Sequence, residues 1–208
     1  YLMPVSRKKP GALDYDIYPV HDLGDGTVSS DISELAARIP ERGTVIVDGY
    51  VGVRFDEFVS SLNEALSAVG KTALWWSVDS ALKSPAEIDK MIEPFLGGDD
   101  PLFGYRASLE LKDFFDGDKL ASIKADASAP LNIIYGIGAS LAGWEGTLIY
   151  LDIPKNEIQF RSRAGSVRNL GAAAPDAPKK MYKRFYFIDW VVLNRHKKAL
   201  MPEIDIFV

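Results

Sequence analysis

A glycine-rich turn early in the chain joins a β-branched apolar segment, residues 44–47, to a long amphipathic segment. Gly49 and Gly52 lie in this turn, and Arg54 comes directly before the amphipathic segment. A strand, a glycine turn and a helix in this order present backbone N–H groups and the positive end of a helix dipole, which favour an anion. We therefore predict that Gly49, Gly52 and Arg54 bind phosphate.

The same turn departs from the P-loop of nucleotide-hydrolysing enzymes. That loop places a lysine and a hydroxyl residue after its second glycine, whereas here Arg54 stands five positions after Gly49 and Phe55 follows it. Arg54 offers a charge without the reach and geometry of lysine. Two interpretations stay open: the glycines are needed only because the turn is tight, or the turn is an anion site. An active nucleotide-hydrolysing loop is the least favoured interpretation.

Three aspartates end apolar segments, namely Asp48, Asp152 and Asp189. A carboxylate at a strand end commonly holds Mg²⁺ beside phosphates. We predict that Asp48 and Asp152 orient a metal ion or a hydroxyl, with Mg²⁺ binding only together with a phosphate ligand. The plain alternative for Asp152 is a solvated side chain. If the strands are neighbours, the carboxylates converge at one edge of the sheet.

Arginines cluster at the end of a predicted helix over residues 155–167. Arg161, Arg163 and Arg168 suit phosphate because the guanidinium fork forms two parallel charge-assisted hydrogen bonds. We predict that they close over a phosphate held by the turn at Gly49. Their alternative role is structural, since cations also stabilise the carboxyl end of a helix dipole.

Composition excludes several kinds of site. The 208 residues carry a net charge of −5, no cysteine and two histidines, His21 and His196. These counts exclude disulfides, a thiol nucleophile and Cys- or His-rich metal clusters, and they make a Ser-His-Asp arrangement not credible. The acidic balance argues against nucleic acid, and no apolar stretch reaches the length of a membrane span. We expect a cytoplasmic protein that binds neither nucleic acid nor a membrane.

The elements that must position these residues alternate along the chain. Apolar segments predict strands over 44–47, 72–78, 130–136, 146–152, 185–190 and 204–208. Amphipathic segments predict helices over 31–39, 54–69, 84–96, 109–125 and 155–167, with a loop over 172–180 and a solvated turn over 194–198. We therefore predict an irregular arm over residues 1–30 and, over 31–208, a three-layer α/β/α domain with a mostly parallel sheet.

The order of these elements resembles uridine-kinase-like P-loop kinases. The resemblance is carried by residues 44–69, 135–137 and 148–152, and by Arg161, Arg163, Arg168 and Gly171. It implies a P-loop kinase-like fold with an arginine-rich lid over the phosphates. Tyr135 stands where those enzymes have an acidic residue, and the lysine and hydroxyl of their phosphate loop are missing. The resemblance thus implies the fold without the groups on which phosphoryl transfer depends.

Residues 15–19, 47–53 and 185–197 resemble the N-terminal region of bacterial class I mannose-6-phosphate isomerases. In that family a kinase-like domain precedes a cupin domain that holds a catalytic zinc with His and Glu. The resemblance implies that this chain is a fragment, that zinc belongs to a C-terminal domain beyond Val208, and that this domain is a partner of the chain. It carries no catalytic residue onto the chain itself.

We therefore expect a degenerate kinase-like domain that binds a phosphorylated sugar or a nucleotide without phosphoryl transfer. One alternative is an active nucleoside or sugar kinase with an atypical phosphate loop, which predicts ADP release dependent on Mg²⁺ and Asp152. A second alternative is a structural or assembly domain, which predicts no ligand and an exposed apolar patch.

Overall fold

The computed structural model describes residues 28–100 and 102–208. Two compact units divide the chain, Tyr1–Asp31 and Ile32–Val208. The predicted arm over residues 1–30, His21 and residues 15–19 of the isomerase resemblance lie outside the described residues, apart from residues 28–30, which form neither helix nor strand. The fold that positions the site is therefore that of the second unit.

Five strands and seven α-helices form the described part of this unit. The strands are β1 (Gly43–Gly49), β2 (Ala73–Ser77), β3 (Leu131–Tyr135), β4 (Thr147–Leu151) and β5 (Ile206–Phe207). The helices are α1 (Ile32–Arg38), α2 (Phe55–Ala68), α3 (Pro85–Ile92), α4 (Gly117–Ser122), α5 (Lys155–Arg163), α6 (Pro178–Arg184) and α7 (Trp190–Leu200). Short 3₁₀ turns and one π-helical segment, Phe185–Asp189, complete the secondary structure.

All five strands run parallel in the order β2-β3-β1-β4-β5. The central strand β1 pairs with β3 on one side and with β4 on the other, so that Ile46 lies between Ile134 and Leu148. A continuous apolar run suits this place because both faces of a central parallel strand are buried. The predicted parallel α/β sheet is confirmed.

Helices cover both faces of the sheet, because alternate residues of a strand point to opposite sides. Val45 and Val47 belong to a core cluster with Leu62 and Leu66 of α2. Ile46 belongs to the opposite cluster, which draws on α3, α5, α6 and α7. The predicted three layers are therefore confirmed. Within the described ranges, none of the helices has the length and hydropathy needed to cross a membrane.

The predicted strand over 185–190 is wrong. This apolar, aromatic segment is helical, with the π-helical segment leading directly into α7. A short apolar run reads as a buried strand or as a buried helix equally well, and here Phe185 and Ile188 are buried among other helices. The solvated turn predicted over 194–198 is also wrong, because these residues continue α7, where Lys197 and Lys198 lie in the last turn and suit the negative end of the helix dipole.

Other differences concern where helices begin and end. The predicted loop over 172–180 gives way to α6 at Pro178, a favoured first residue of a helix. The predicted helix over 155–167 stops at Arg163, and Gly165 follows with a φ of +66°. The predicted helix over 109–125 divides into a 3₁₀ turn and α4. Residues 164–177 thereby become a long connection that helps to form the site described next.

Candidate functional site

The turn after β1 lies at the carboxyl edge of the sheet. The N–H of Tyr50 still bonds the carbonyl of Leu151 at 2.9 Å, so the turn proper begins after Tyr50. Gly52 has a φ of +94°, and a Cβ there would lie 2.9 Å from Cγ1 of Ile158 in α5. A Cβ on Gly49 would lie 2.6 Å from the carbonyl oxygen of Leu151. Both glycines are therefore required by close contacts within the chain.

Asp48 is fully buried beneath this turn and binds only groups of the chain itself. Its Oδ1 accepts hydrogen bonds from the N–H groups of Gly49, at 2.6 Å, and Gly138, at 2.8 Å. Its Oδ2 accepts from the N–H of Ser140 at 3.1 Å, the hydroxyl of Ser140 at 2.6 Å and Nε2 of His196 at 3.0 Å. This carboxylate ties the turn, the segment after β3 and helix α7 together.

The structure thus joins Ser140, His196 and Asp48, a combination that the small number of histidines had made not credible. The arrangement differs from a catalytic triad, in which the imidazole stands between the hydroxyl and the carboxylate. Here the hydroxyl of Ser140 donates to Oδ2 of Asp48, and Nε2 of His196 lies 3.0 Å from the same oxygen and 3.3 Å from the hydroxyl. Because a carboxylate oxygen only accepts hydrogen bonds, Nε2 faces it as the donor. No sequence spacing links residues 48, 140 and 196, which is why sequence reasoning missed this cluster.

Asp152 follows β4, the neighbour of β1, but its carboxylate has a different partner. Its Oδ2 accepts a hydrogen bond from Nζ of Lys197 at 2.6 Å, and both side chains are about one quarter exposed. Asp189 lies at the end of the π-helical segment rather than at a strand end. The three aspartates therefore have different hydrogen-bond partners. Among the described residues, no group of three or more acidic or histidine side chains is placed to hold a metal ion.

The three arginines predicted to act together occupy three different places. Nη1 of Arg161 donates to the carbonyl of Gly52 at 2.9 Å, and its Nε donates to Glu157. Arg163 lies on another side of α5 and lines a separate concavity. Residues two apart on a helix are rotated by about 200°, so they cannot face the same ligand. Arg168 lies beyond the end of the helix.

Two walls enclose a cleft of about 600 Å³ at the carboxyl edge of the sheet. We call residues 51–57 the first wall and residues 165–171 the second wall. Arg54 projects from the first wall and Arg168 from the second. Nη2 of Arg54 lies 3.4 Å from the hydroxyl of Ser166, so the arginine reaches across the cleft. Of the predicted phosphate residues, Gly52, Arg54 and Arg168 line this cleft, whereas Gly49, Arg161 and Arg163 do not.

Carboxylates balance the two arginines of the cleft. Nη1 of Arg54 binds Glu57 at 3.1 Å, and Nη2 of Arg168 lies 3.9 Å from Asp79. Burial raises the pKa of Asp79 above its ordinary value, the nearby Arg168 lowers it, and Asp56 raises it further. Asp56 and Glu57 occupy the first turn of α2, where acidic groups complement the helix dipole. The cleft is therefore of mixed charge, with its cationic groups on opposite walls.

The second wall is held from below by the buried Asp189. Its Oδ2 accepts hydrogen bonds from Nδ2 of Asn169 at 2.6 Å and from the N–H of Leu170 at 3.3 Å. Nε of Arg184 lies 3.6 Å from Oδ1, and the same guanidinium donates to the carbonyl of Leu170. Burial raises the pKa of Asp189, against the opposing effect of the Arg184 charge. The wall is thus a hydrogen-bonded loop with a buried base, formed by Val167, Asn169 and Leu170, and an exposed rim that includes Arg168.

Comparison with known proteins gives a family without an assigned activity. No curated protein matches the chain. Among solved structures, a candidate fructose transport system kinase from Silicibacter sp. TM1040 is similar, with 17% sequence identity and a TM-score of 0.49, over 82% of this chain and 95% of that one. A family model described as a domain of unknown function, DUF8485, matches residues 31–208. The chain therefore belongs to the DUF8485 family.

Proposed function

We propose that this domain is a degenerate kinase-like domain that binds a phosphorylated sugar or a nucleotide in the cleft, without transferring a phosphoryl group. The observation that carries the proposal is the placement of Arg54 and Arg168 on opposite walls of a cleft at the carboxyl edge of a parallel sheet. Ligands of open α/β sheets bind at this edge. Two guanidinium forks from opposite sides suit a phosphate group.

The exposure of the two arginines supports this role. The side chain of Arg54 is 41% exposed and that of Arg168 is 53% exposed. Each has a carboxylate neighbour, and exposed ion pairs of this kind contribute little and rearrange readily. A phosphate can therefore replace Glu57 at Arg54 and Asp79 at Arg168 at small cost. Arg161 takes a positioning role, since its bond to the carbonyl of Gly52 holds the first wall.

We infer that the domain does not transfer a phosphoryl group from the residues in and around the turn after β1. Phe55 begins α2 where the P-loop pattern has lysine, and Asp56 follows where that pattern has a hydroxyl. Asp48 is occupied by five hydrogen-bond donors, and Asp152 is bound to Lys197. Mg²⁺ would enter only with the phosphate ligand. The isomerase relationship, a C-terminal partner domain with its zinc and a cytoplasmic setting also remain proposals, based on the sequence resemblance and composition.

Calorimetric titration with mannose 6-phosphate, fructose 6-phosphate, ATP and UTP, each with Mg²⁺, tests the proposal. We expect heat with at least one of them and at least tenfold weaker binding in Arg168→Gln. Arg42→Gln, an exposed arginine directly before β1 and thus at the opposite edge of the sheet from the cleft, is the matched control and should bind like the wild type. No heat with any ligand, or an affinity unchanged by Arg168→Gln, would overturn the cleft as the site.

A coupled ADP-release assay over the same sugars and nucleosides tests the absence of transfer. We expect no turnover above a blank without protein. Turnover that requires Mg²⁺ and disappears in Asp152→Asn would instead identify an active kinase.

A further inference from the structure

A second concavity lies against α5, α6 and the π-helical segment, and we call it the aromatic groove. It encloses about 680 Å³ and shares no lining residue with the cleft. Small-molecule sites span about 300–1,000 Å³ and combine apolar and aromatic walls with a few polar groups. The aromatic groove therefore has the size and the composition of a ligand site, although the function proposed for the cleft does not involve it.

Aromatic rings form one side of this groove. Tyr182 and Tyr186 stack with their planes 29° apart and their centroids separated by 6.3 Å. Phe187 meets Tyr186 edge to face at 5.1 Å. The consecutive residues Phe185, Tyr186 and Phe187 of the π-helical segment all line the groove, although Phe185 itself is fully buried. Such π-helical turns are rare and occur frequently at functional sites.

Three cationic side chains, together with Gln159 and Ser162, form the rest of the polar lining. Arg163, Lys179 and Lys183 line the groove, and none of its described lining residues is acidic. The guanidinium of Arg163 lies over the ring of Phe160 at 5.9 Å, and Nζ of Lys183 donates to the carbonyls of Gly98 and Asp100. The lining of the groove therefore carries positive charge, although the chain as a whole has a net charge of −5.

These two properties together define the ligand. Stacked tyrosines favour a planar aromatic group, because nucleic-acid bases stack on aromatic side chains. Arginine and lysine favour a phosphate. We propose that the aromatic groove binds a nucleoside monophosphate, with its base against Tyr182 and Tyr186 and its phosphate at Arg163 and Lys179. A purely apolar ligand would leave the cations without a partner, and a phosphate alone would leave the rings without one.

Calorimetric titration with AMP tests this proposal, with adenosine and ribose 5-phosphate as probes of each half of the ligand. We expect AMP to bind at least tenfold more tightly than either half. The double variant Arg163→Gln, Lys179→Gln should weaken AMP at least tenfold, because it removes the charges and keeps the shape. Arg42→Gln, an exposed arginine that lines neither the cleft nor the aromatic groove, is the matched control and should leave AMP binding unchanged.

A second variant guards against a folding artefact. Tyr186→Leu keeps an apolar side chain at a position that is more than half exposed, so its far-UV circular dichroism and melting temperature should match the wild type. We expect it to weaken AMP and adenosine but not ribose 5-phosphate. Amide chemical-shift changes should fall at residues 159–163 and 178–187.

Three results would overturn the proposal: no binding of AMP at millimolar concentration, equal binding by the double variant, or AMP-induced amide shift changes confined to residues 51–57 and 165–171 of the cleft. Binding of an oligothymidylate without binding of AMP would also overturn it and would identify a single-strand surface. Because the cleft is also proposed to bind a nucleotide or a sugar phosphate, the location of the shifted amides shows which of the two proposals has failed.

Discussion

The two walls of the cleft rest on two buried aspartates that are satisfied in different ways. Asp48, below the first wall, accepts five hydrogen bonds from neutral backbone and hydroxyl donors and from His196. Asp189, below the second wall, has one oxygen bonded to Asn169 and Leu170 and the other paired with Arg184 alone. A buried carboxylate is therefore as well suited to holding loops in place as to binding a metal, and its donors decide which.

The largest effect is expected at Asp48. Asp48→Ala leaves four donor groups and the His196 ring without an acceptor in the core, which should lower the free energy of unfolding by about 3–5 kcal/mol. Urea denaturation measures this loss. Asp152→Ala is the matched control, because it also follows an apolar strand but loses only a partly exposed pair with Lys197, worth under about 1 kcal/mol. Equal losses in the two variants would contradict the difference described here.

A smaller and pH-dependent effect is expected at Asp189. Its folded-state pKa lies above its ordinary value of 3.8, so the folded protein binds this proton more tightly than the unfolded chain does. Its contribution to stability is therefore fully present below 3.8 and declines as the pH rises through the raised pKa. Asp189→Asn should cost about 1–3 kcal/mol at neutral pH, and the cost should be greater in acid.

Urea denaturation of wild type and Asp189→Asn over a series of pH values measures this trend. Asp126→Asn provides a control, because its effect on stability should change with pH in the opposite direction. Hydrogen bonds from Ser128 lower the pKa of Asp126, so its contribution is present above the ordinary aspartate pKa and is lost as the pH falls. A cost of Asp189→Asn that grows with pH would show that the Arg184 charge outweighs burial.

The smallest effect distinguishes the walls themselves. Gly52→Ala in the first wall adds a side chain at positive φ and also a clash with Ile158, for a cost of about 1–2 kcal/mol. Gly165→Ala in the second wall, at a φ of +66°, meets nothing within 4 Å and should carry only the backbone part of this cost. Thermal unfolding of the pair measures the difference. A Gly165 variant less stable than the Gly52 variant would show that the second wall is the tighter one.

Prediction from sequence succeeded where local pattern and burial agree. The β-branched run at 44–47 forms the central strand, and the amphipathic spacing after it forms α2. Ser84 and Pro85 begin α3 with a complete capping box. Prediction from sequence failed at residues 185–190, where aromatic residues are buried between helices. Composition alone does not distinguish a segment buried between helices from a strand buried in a sheet.

The site was only partly predictable for a geometric reason. Arg54 and Arg168 were expected at one phosphate and do line one cleft, whereas Arg163, two residues from Arg161, faces another surface. Neighbours in sequence diverge on a helix, and residues far apart converge through strand order. In sequence Asp48 and Asp152 both end an apolar run, but in the structure Asp48 is the next-to-last residue of β1 and fully buried, whereas Asp152 follows β4 and is partly exposed.

The sequence by itself determined the layered parallel architecture, because strand burial and helix amphipathicity are properties of short segments. It also determined that the turn lacks the lysine and hydroxyl of a P-loop. Only the tertiary structure decided which aspartate lies in the core, which arginines share a cleft and that a basic aromatic groove exists at all. Those outcomes depend on the direction of each side chain within the assembled layers, which no local spacing encodes.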